Sequence, residues 1–325
     1  MKAAIRSLLA VMLAVLLACA GGYVWFLSWL DAPGPLHDET VVLVPRGAGL
    51  GIIARDLQRA GVVGEARLLE LAAWQTGLAA QLKAGEYAFP PGETPRAALE
   101  RMAAGRVLVH RLTIPEGLSS LAIRQLVEGA DTLSGNWPAL SVPEGSLLPE
   151  TYHFIRGDSR ADLVARMHRA QQALLAAEWP KRDAGLPLDS PEQAVILASI
   201  VEAETPLEAE RPRVAGVYLN RLKRGMRLQA DPTVLYGITK GDPERDRPLT
   251  RADLAQPSPW NTYAIDGLPP TPINHPGRAS LLAVLHPEMH GFLYFVASGK
   301  GGHTFAETYE QHLRNVAAWR ASQKQ

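Results

Sequence analysis

The chain has 325 residues, of which 47% are hydrophobic and 20% charged, and its formal net charge is zero. This length is enough for one large domain or two smaller ones. The neutral balance and the lack of long charge runs argue against a nucleic-acid partner. The single cysteine, Cys19, excludes an internal disulfide framework.

The N-terminus predicts a membrane anchor. Lys2 and Arg6 precede a run from Leu8 to Leu30 that contains no Asp, Glu, Lys, Arg or His. A helix of this length crosses the hydrocarbon core of a bilayer. Because the basic residues come before the run and Asp31 follows it, we expect the N-terminus in the cytoplasm and the rest of the chain outside the inner membrane.

Two alternatives compete with a retained anchor. A cleaved signal peptide would usually have a shorter apolar region. The stretch Leu16–Cys19 is similar to a lipoprotein cleavage site, but Tyr23–Leu30 is apolar where a mature lipoprotein has a polar tether. We therefore favour a single-pass, retained anchor.

The chain after the anchor predicts alternating strands and helices. Residues 31–40 form a Pro- and Gly-containing linker. Apolar periodicity and turn residues then predict strands over 41–44, 85–89 and 107–114, and helices around 50–60, 65–76, 94–104 and 118–126.

The second half predicts helices first and long ordered loops later. Helices are expected over 158–173, 190–205 and 206–224. Residues 227–237 are interpreted as loop, because Pro232 excludes a regular central strand. The stretches 260–263 and 268–273 are further loops, followed by a short helix at 280–285, a hairpin of 292–297 with 304–307, and a last helix.

The stretch Ser190–Thr205 is the strongest candidate for chemistry. Ser190 caps a helix whose run Ala194–Val201 is apolar almost all the way round, which predicts burial on most sides. The helix then presents Glu202 and Glu204 before Pro206 stops it. A poorly solvated carboxyl there would have a raised pKa and could act as a general acid. The alternative is a frayed helix end with two solvated glutamates.

Other chemistries have little support. His286 and His290 have the spacing of a zinc protease, but Pro287 breaks the helix that such a site needs. The glycines of Ser298–Gly302 lack the pattern of a phosphate-binding loop, and no G-x-S-x-G elbow occurs. The sequence therefore predicts neither a metal nor a cofactor, and carboxylate chemistry on an extracytoplasmic substrate remains.

Several stretches together resemble one family, the endolytic murein transglycosylases, also called YceG-like proteins. They are Glu144–Tyr152, Ala198–Thr205, Val217–Gly237, Trp260–Gly277 and Leu293–Phe305. The segment from Val42, V-x-V-P-x-G-x-G-L-x-x-I-A, also resembles the start of a LysM module, a βααβ fold that binds glycans.

The resemblance implies an α+β architecture in four parts. These are a cytoplasmic stub and transmembrane helix over 1–30, a linker over 31–40, a LysM-like βααβ subdomain over 41–108, and a mixed α/β catalytic domain with long ordered loops over 109–325.

The resemblance also implies an activity and a site. The family cuts the MurNAc–GlcNAc β-1,4 bond within peptidoglycan strands and leaves a 1,6-anhydroMurNAc end. Glu202 matches the catalytic glutamate, as acid and then as base toward the C6 hydroxyl, and Glu204 is expected to be structural. The expected substrate-binding residues lie in the matched loops: Gln229, Asp231, Tyr236, Asn261, Thr262, Tyr263 and His303. Expected partners are glycan strands, the membrane and peptidoglycan synthases.

Two other functions stay open from the sequence. One is a hydrolytic muramidase, with Glu202 as acid and Asp231 as base or nucleophile. The other is a non-catalytic, membrane-anchored scaffold that binds peptidoglycan. Product analysis separates the first from transglycosylation, since hydrolysis leaves a reducing end.

Overall fold

The computed structural model describes residues 2–323. The chain divides into two compact units, Met1–His110 and Arg111–Gln325. Helices and strands are mixed, and the strands of the described residues form two-stranded sheets. The predicted mixture of helix and strand is confirmed.

The first unit begins with a long helix and continues as a βααβ arrangement. Its elements are α1 (Lys2–Asp31), β1 (Thr40–Val44), α2 (Leu50–Arg59), α3 (Ala66–Gln75), β2 (Gly85–Phe89) and α4 (Pro95–Ala104). Strands β1 and β2 pair antiparallel, with Thr40 opposite Phe89 and Val44 opposite Gly85. The two strands and the helices are where the periodicity predicts them. The likeness to a LysM module stays a prediction.

The core of the first unit follows from simple periodicity. In β1, Val42 and Val44 are buried, whereas Val41 and Leu43 are exposed, as a strand with one covered face requires. Helix α2 packs against β1, and its side chain Leu57 belongs to the same buried cluster as Val42 and Val44. Burial of these apolar side chains stabilises the unit by roughly 1.5–3 kcal/mol for each large residue.

Helix α1 is long and apolar enough to cross a membrane over Ala3–Asp31. Near its C-terminal end, Phe26 and Leu30 are buried against the rest of the first unit. One turn earlier, the Tyr23 hydroxyl accepts a hydrogen bond from Gln75 Nε2 of α3 at 3.1 Å. The side of α3 next to this contact exposes two large apolar side chains, Leu71 (55% exposed) and Trp74 (71%).

The second unit contains most of the helices. After β3 (Val109–Thr113), its elements are α5 (Ser120–Glu128), β4 (Thr151–Ile155), α6 (Arg160–Glu178), α7 (Pro191–Glu204), α8 (Arg211–Lys223), α9 (Asp231–Thr239), α10 (Arg251–Ala255), α11 (Arg278–Leu285), β5 (Tyr294–Ala297), β6 (His303–Ala306) and α12 (Tyr309–Ser322). Strand β3 pairs with β4, and β5 pairs with β6.

Helix α7 is the centre of this unit. All eight residues of Ala194–Val201 are buried, and α8 and α11 pack against the helix. The Ser190 side chain accepts a hydrogen bond from the Gln193 amide, so the predicted N-cap is confirmed. At the other end, Thr205 is extended (φ −141°, ψ 126°), as expected for a residue that precedes proline.

Two sequence-based assignments differ from the structure. The helix predicted from residue 206 begins at Arg211, after a 3₁₀ turn over Glu208–Glu210. The sequence predicts a loop over residues 227–237, but Asp231–Thr239 form helix α9. Pro232 lies in the first turn of this helix, where a missing N–H costs nothing and the fixed φ favours the helix. The hairpin predicted near the C-terminus is confirmed, with Tyr294 opposite Ala306 and Ala297 opposite His303.

Gly145 provides a stability test of the loop that precedes β4. Its φ is +74°, and a Cβ there would lie 2.6 Å from Val195 Cγ1 and 2.7 Å from Pro272 Cγ. Gly145→Ala should therefore lower the free energy of unfolding by about 2–5 kcal/mol, through backbone strain and overpacking. Gly225→Ala is the matched control, because Gly225 has φ +65° but a Cβ at this position would meet no described atom within 4 Å. Equal losses of thermal stability in the two variants would contradict this account.

Candidate active site

The two glutamates at the end of α7 point in different directions. Residues two positions apart on an α-helix are separated by about 200° around the axis. Glu202 and Glu204 therefore lie on nearly opposite sides of the last turn, and their surroundings differ.

Glu204 lines a polar cavity, and its carboxyl is poorly solvated. Its Oε1 accepts a hydrogen bond from the Tyr218 hydroxyl of α8 at 2.7 Å. Burial raises the pKa of Glu204 to about 7, with the Asp231 carboxylate adding to the rise and the Tyr218 hydrogen bond opposing it. Burial therefore favours the protonated form of this carboxyl near neutral pH.

The cavity beside Glu204 has a volume of about 330 Å³. Its walls come from α8, the segment before α9, strand β5 and helix α12, and its polar lining includes Gln229, Asp231 and Tyr263. We call it the acid cavity. A concave site with a few convergent polar groups is the usual form of a ligand-binding site.

A buried arginine holds the walls of the acid cavity together. Arg221 of α8 donates to the Leu293 carbonyl through Nε at 2.6 Å and to the Leu228 carbonyl through Nη1 at 2.7 Å. Its guanidinium also lies 5.2 Å from the ring centre of Tyr294. This cation lowers the pKa of Glu204 and partly offsets the effect of burial.

Three of the predicted substrate-binding residues line the acid cavity. Gln229 is exposed and has φ +53°, a conformation that costs a non-glycine residue energy and is common at functional sites. Asp231 begins α9, and its Oδ1 accepts a hydrogen bond from the Tyr263 hydroxyl at 2.7 Å. An exposed carboxylate and the carboxyl of Glu204 thus share one cavity.

The other predicted binding residues lie elsewhere. Asn261 and Thr262 are completely buried, and their side chains hold neighbouring backbone: Asn261 Nδ2 donates to two carbonyls, and Thr262 Oγ1 accepts from the Ala230 amide at 2.9 Å. They shape the loop and do not reach the cavity. Tyr236 packs edge-on against Trp260 outside the acid cavity.

His303 lies behind the cavity wall. Its Nδ1 is 2.8 Å from Glu210 Oε2, and its ring packs edge-on against Phe295, which lines the acid cavity. His303 still influences the site, because its charge lowers the pKa of Glu204.

Both carboxylate oxygens of Glu202 accept hydrogen bonds from the protein. Its Oε1 accepts from Arg211 Nη2 at 2.8 Å, and its Oε2 accepts from the Gly277 amide at 3.0 Å. The side chain is only 5% exposed. Burial raises its pKa, while the Gly277 amide and the Arg211 guanidinium oppose that rise. Glu202 does not line the acid cavity, and its catalytic assignment stays a prediction.

Arg211 links Glu202 to a second carboxylate, Glu116. This buried arginine also donates to Glu116 Oε2 at 3.0 Å, so one guanidinium joins the turn before α5 to the ends of α7 and α8. Because Gly277 is the N-cap of α11, the Glu202 carboxylate holds the start of that helix as well. These contacts fit a structural role.

His275 connects two of the recognised stretches. It is fully buried, and burial lowers its pKa to about 4, so the ring is neutral. Its Nδ1 lies 3.1 Å from the Leu147 amide nitrogen and 3.3 Å from the Leu147 carbonyl oxygen, and its Nε2 lies 2.9 Å from Ser120 Oγ. The ring joins the Glu144–Tyr152 stretch to the Trp260–Gly277 stretch.

Sequence reasoning missed several cavity residues. They are Tyr218, Arg221, Tyr294, Tyr309 and His312. The spacing of Tyr218 and Arg221 places them on one face of α8, and an arginine on an otherwise apolar helix face was the available signal. Tyr309 and His312 come from the last helix, whose position depends on tertiary packing.

A carboxyl that holds a proton near neutrality, with a second carboxylate in the same open cavity, defines a site for general acid–base chemistry. The sequence profile of the YceG-like family matches residues 42–318. The chain belongs to the YceG-like family.

Relatives and a solved structure agree with this membership. The endolytic murein transglycosylase of Bacillus subtilis strain 168 is 29% identical over 328 residues, which cover 91% of this chain and 89% of that protein. The protein of the same name from Streptococcus pneumoniae strain D39 is 27% identical, and the match covers 93% of this chain but 63% of that protein. A crystal structure of a putative yceG-like protein from Listeria monocytogenes superimposes with a TM-score of 0.51 at 28% identity, over 86% of this chain and 99% of that chain.

Proposed function

We propose that this chain is an endolytic lytic transglycosylase that cuts the MurNAc–GlcNAc β-1,4 bond of peptidoglycan and leaves a 1,6-anhydroMurNAc end, with Glu204 as the acid and then the base. The names of the relatives support the reaction class. The observation that carries the choice of residue is the position of Glu204 in the acid cavity, with a pKa of about 7.

The contrast between the two glutamates supports Glu204 over Glu202. Both oxygens of Glu202 accept hydrogen bonds from the protein, and one of these comes from a guanidinium. To protonate a leaving group, Glu202 would have to break a buried ion pair. Glu204 has one neutral donor, Tyr218, and lies beside space for a ligand.

The proposed reaction needs one carboxyl for both proton transfers. Protonated Glu204 gives its proton to the bridging oxygen as the C1–O bond breaks, and positive charge develops at C1 of MurNAc. The Asp231 carboxylate, held by the Tyr263 hydroxyl, stabilises that charge. The C6 hydroxyl of the same sugar then bonds to C1 and returns its proton to Glu204, so no water is consumed.

Hydrolysis is the second candidate, and one observation favours it. Asp231 lines the same cavity as Glu204. Glycoside hydrolases usually use two carboxylates that flank the scissile bond. Asp231 would then activate water, and the product would carry a free reducing end in place of the anhydro ring.

Mass spectrometry of the products decides between these functions. Purified sacculi are incubated with the full-length protein or with Glu204→Gln, and the released fragments are analysed for their termini. Anhydro ends from the wild type alone would support the proposal. Reducing ends would establish hydrolysis, and release by neither protein would favour a non-catalytic scaffold.

The pH dependence gives an independent test of Glu204. Because its raised pKa lies at about 7, the protonated fraction is nearly complete at pH 5.5 and falls about tenfold for each unit well above pH 7. We therefore expect kcat/KM to fall on the alkaline side with a midpoint near 7. Initial rates between pH 5 and 9 measure this midpoint.

A Tyr218→Phe variant checks the cause of that midpoint. The Tyr218 hydrogen bond lowers the pKa of Glu204, so its removal should move the alkaline midpoint to higher pH. An unchanged midpoint would mean that another group controls the profile.

The membrane arrangement belongs to the same proposal. With Lys2 and Arg6 on the cytoplasmic side of α1, the unit that carries Glu204 faces the peptidoglycan. The predicted glycan binding by the LysM-like region and the predicted contact with synthases are parts of the proposal, and co-purification from membranes tests the latter.

A further inference from the structure

A second cavity in the same unit has no role in the proposed reaction. Its volume is about 640 Å³, which lies in the range of sites for small molecules. Its walls are the loop 141–146, helices α6 and α7, Tyr236 of α9, and the prolines of the loop 270–272. Most of this lining is apolar, with Leu175, Val195 and Ile196 among the contributors.

One buried polar side chain of this cavity has no partner. Gln171 of α6 is a lining residue and is 2% exposed. Neither its Oε1 nor its Nε2 makes a hydrogen bond within residues 2–323. A buried amide without partners is costly, and such groups usually have a partner in the functioning protein. A primary amide offers one acceptor and two donors, so its natural complement is another amide group.

Helix α9 contributes residues to the acid cavity and to the Gln171 cavity. Asp231, at the start of α9, lines the acid cavity. Pro232 and Tyr236 line a smaller cavity that also includes Ala203, the neighbour of Glu204. Tyr236 then lines the cavity of Gln171. Asp231 and Tyr236 are five positions apart, which is about 7.5 Å along the helix axis. A substituent on a polymer bound in the acid cavity would have to span about this distance to reach the Gln171 cavity.

The surroundings favour a peptide over a sugar ring. Sugars pack flat on exposed aromatic faces, but the Lys240 ammonium lies 3.3 Å from the ring centre of Trp260, and Tyr236 packs edge-on against the same ring at 5.7 Å. The apolar walls suit small aliphatic side chains. The exposed Glu192 at the rim remains ionised, because the Ser190 hydroxyl lowers its pKa, and it can pair with an amino group.

We infer that the Gln171 cavity binds the stem peptide of the strand being cut, with the Gln171 amide paired to a peptide backbone amide. The inference rests on the proposed function, since peptidoglycan supplies a short peptide on its MurNAc residues. It makes the cavity a specificity site that distinguishes peptide-bearing from peptide-free glycan.

The test compares two substrates with a matched pair of variants. Full-length protein is assayed on intact glycan strands and on strands whose peptides an amidase has removed. Gln171→Met keeps the side-chain length and removes the amide. Gln125→Met is the control, because Gln125 is exposed on α5 and does not line the cavity. For Gln171→Met, the ratio of kcat/KM on intact strands to that on stripped strands should fall about tenfold, as expected for one lost hydrogen-bonded amide pair. The control should keep the wild-type ratio.

Thermal melting separates binding from folding. Gln171→Met should melt at or above the wild-type temperature, because it removes an unpartnered buried group. A lower melting temperature together with equal losses on both substrates would show that Gln171 is structural and would overturn the inference. An unchanged ratio would also overturn it.

Binding measurements test the Gln171 cavity independently of catalytic activity. The free stem peptide and an N-acetylglucosamine tetramer are titrated separately into wild type and Gln171→Met, and binding is followed calorimetrically. Peptide binding that Gln171→Met weakens supports the inference even if the wild type releases no anhydro product, in which case only the transglycosylase proposal fails. Tetramer binding that depends on Gln171, without peptide binding, would reassign the cavity to the acetamido group of a sugar.

Discussion

Replacing Glu204 with glutamine should reduce the release of anhydro products by about 10²–10⁴-fold, the range for loss of a positioned general acid. The fold should tolerate the change, because a glutamine oxygen still accepts the Tyr218 hydrogen bond and burial already favours the neutral form of Glu204. Product release by mass spectrometry and thermal melting measure the two effects on the same preparation.

Glu202→Gln is the matched variant, and we expect the opposite pattern. The amide can still accept from Arg211 through its oxygen, but its NH₂ group would face the Gly277 N–H, so a donor meets a donor. The free energy of unfolding should fall by about 2–4 kcal/mol. Under conditions in which the variant is folded, product release should remain within about tenfold of the wild type. An inactive Glu202→Gln beside an active Glu204→Gln would return the catalytic role to Glu202, as the sequence predicts.

Arg211→Met should be among the most destabilising single substitutions in the second unit. Arg211 is buried and pairs with Glu202 at 2.8 Å and with Glu116 at 3.0 Å. Its removal leaves the nearly buried Glu202 carboxylate without a cation. We therefore expect the free energy of unfolding to fall by about 3–5 kcal/mol. Thermal or urea unfolding of the full-length protein in detergent measures this loss.

Two further variants show whether the loss comes from the stranded charge. Arg213→Met removes another arginine of α8. The side chains of Arg213 and its ion-pair partner Glu288 are 41% and 39% exposed. This substitution should therefore lower the free energy of unfolding by less than about 1 kcal/mol. Adding Glu202→Leu to Arg211→Met should recover part of the stability, because the unpaired carboxylate is then absent. Equal losses for Arg211→Met and Arg213→Met would contradict this explanation.

Much of the architecture follows from local sequence patterns. The strands that become β1 and β2 have alternating or turn-bounded apolar residues, and the β5–β6 hairpin surrounds a glycine-rich turn. Helix α7 has a capping serine at its start and a proline after its end, so its bounds are predictable to within a residue or two. These signals lie within each segment and need no knowledge of distant contacts.

Helix α9 shows how a local rule can be applied in the wrong context. Pro232 correctly excludes a central strand, but the same residue suits the first turn of a helix. Asp231 beside it adds a negative charge at the helix N-terminus, which also favours a helix. The alternation of polar and apolar residues in this segment conceals the helix.

The choice between Glu202 and Glu204 lies beyond the sequence of α7. A helix that is apolar on all sides has no single buried face, so its periodicity does not indicate which of two nearby carboxylates faces a cavity. The different surroundings of the two carboxylates depend on Arg211, Gly277 and Tyr218, which come from other segments and meet α7 only in the folded unit. The burial of Asn261 and Thr262 was unpredictable for the same reason, because the sequence of a loop does not show which of its side chains are buried. Their role in binding stays a prediction.

The hydrogen bond between Gln75 and Tyr23 places the C-terminal part of α3 beside Tyr23 of α1. A helix crosses the hydrocarbon layer in about 20 residues, and a crossing that starts at Leu8 ends near Leu27, about four residues beyond Tyr23. If α1 crosses the membrane in the predicted orientation, the exposed Leu71 and Trp74 side chains would enter the outer leaflet by about 5–10 Å, at the depth where amphipathic helices rest. The first unit would then lie against the lipid surface, and lipid contacts on α3 would restrict its rotation about the anchor.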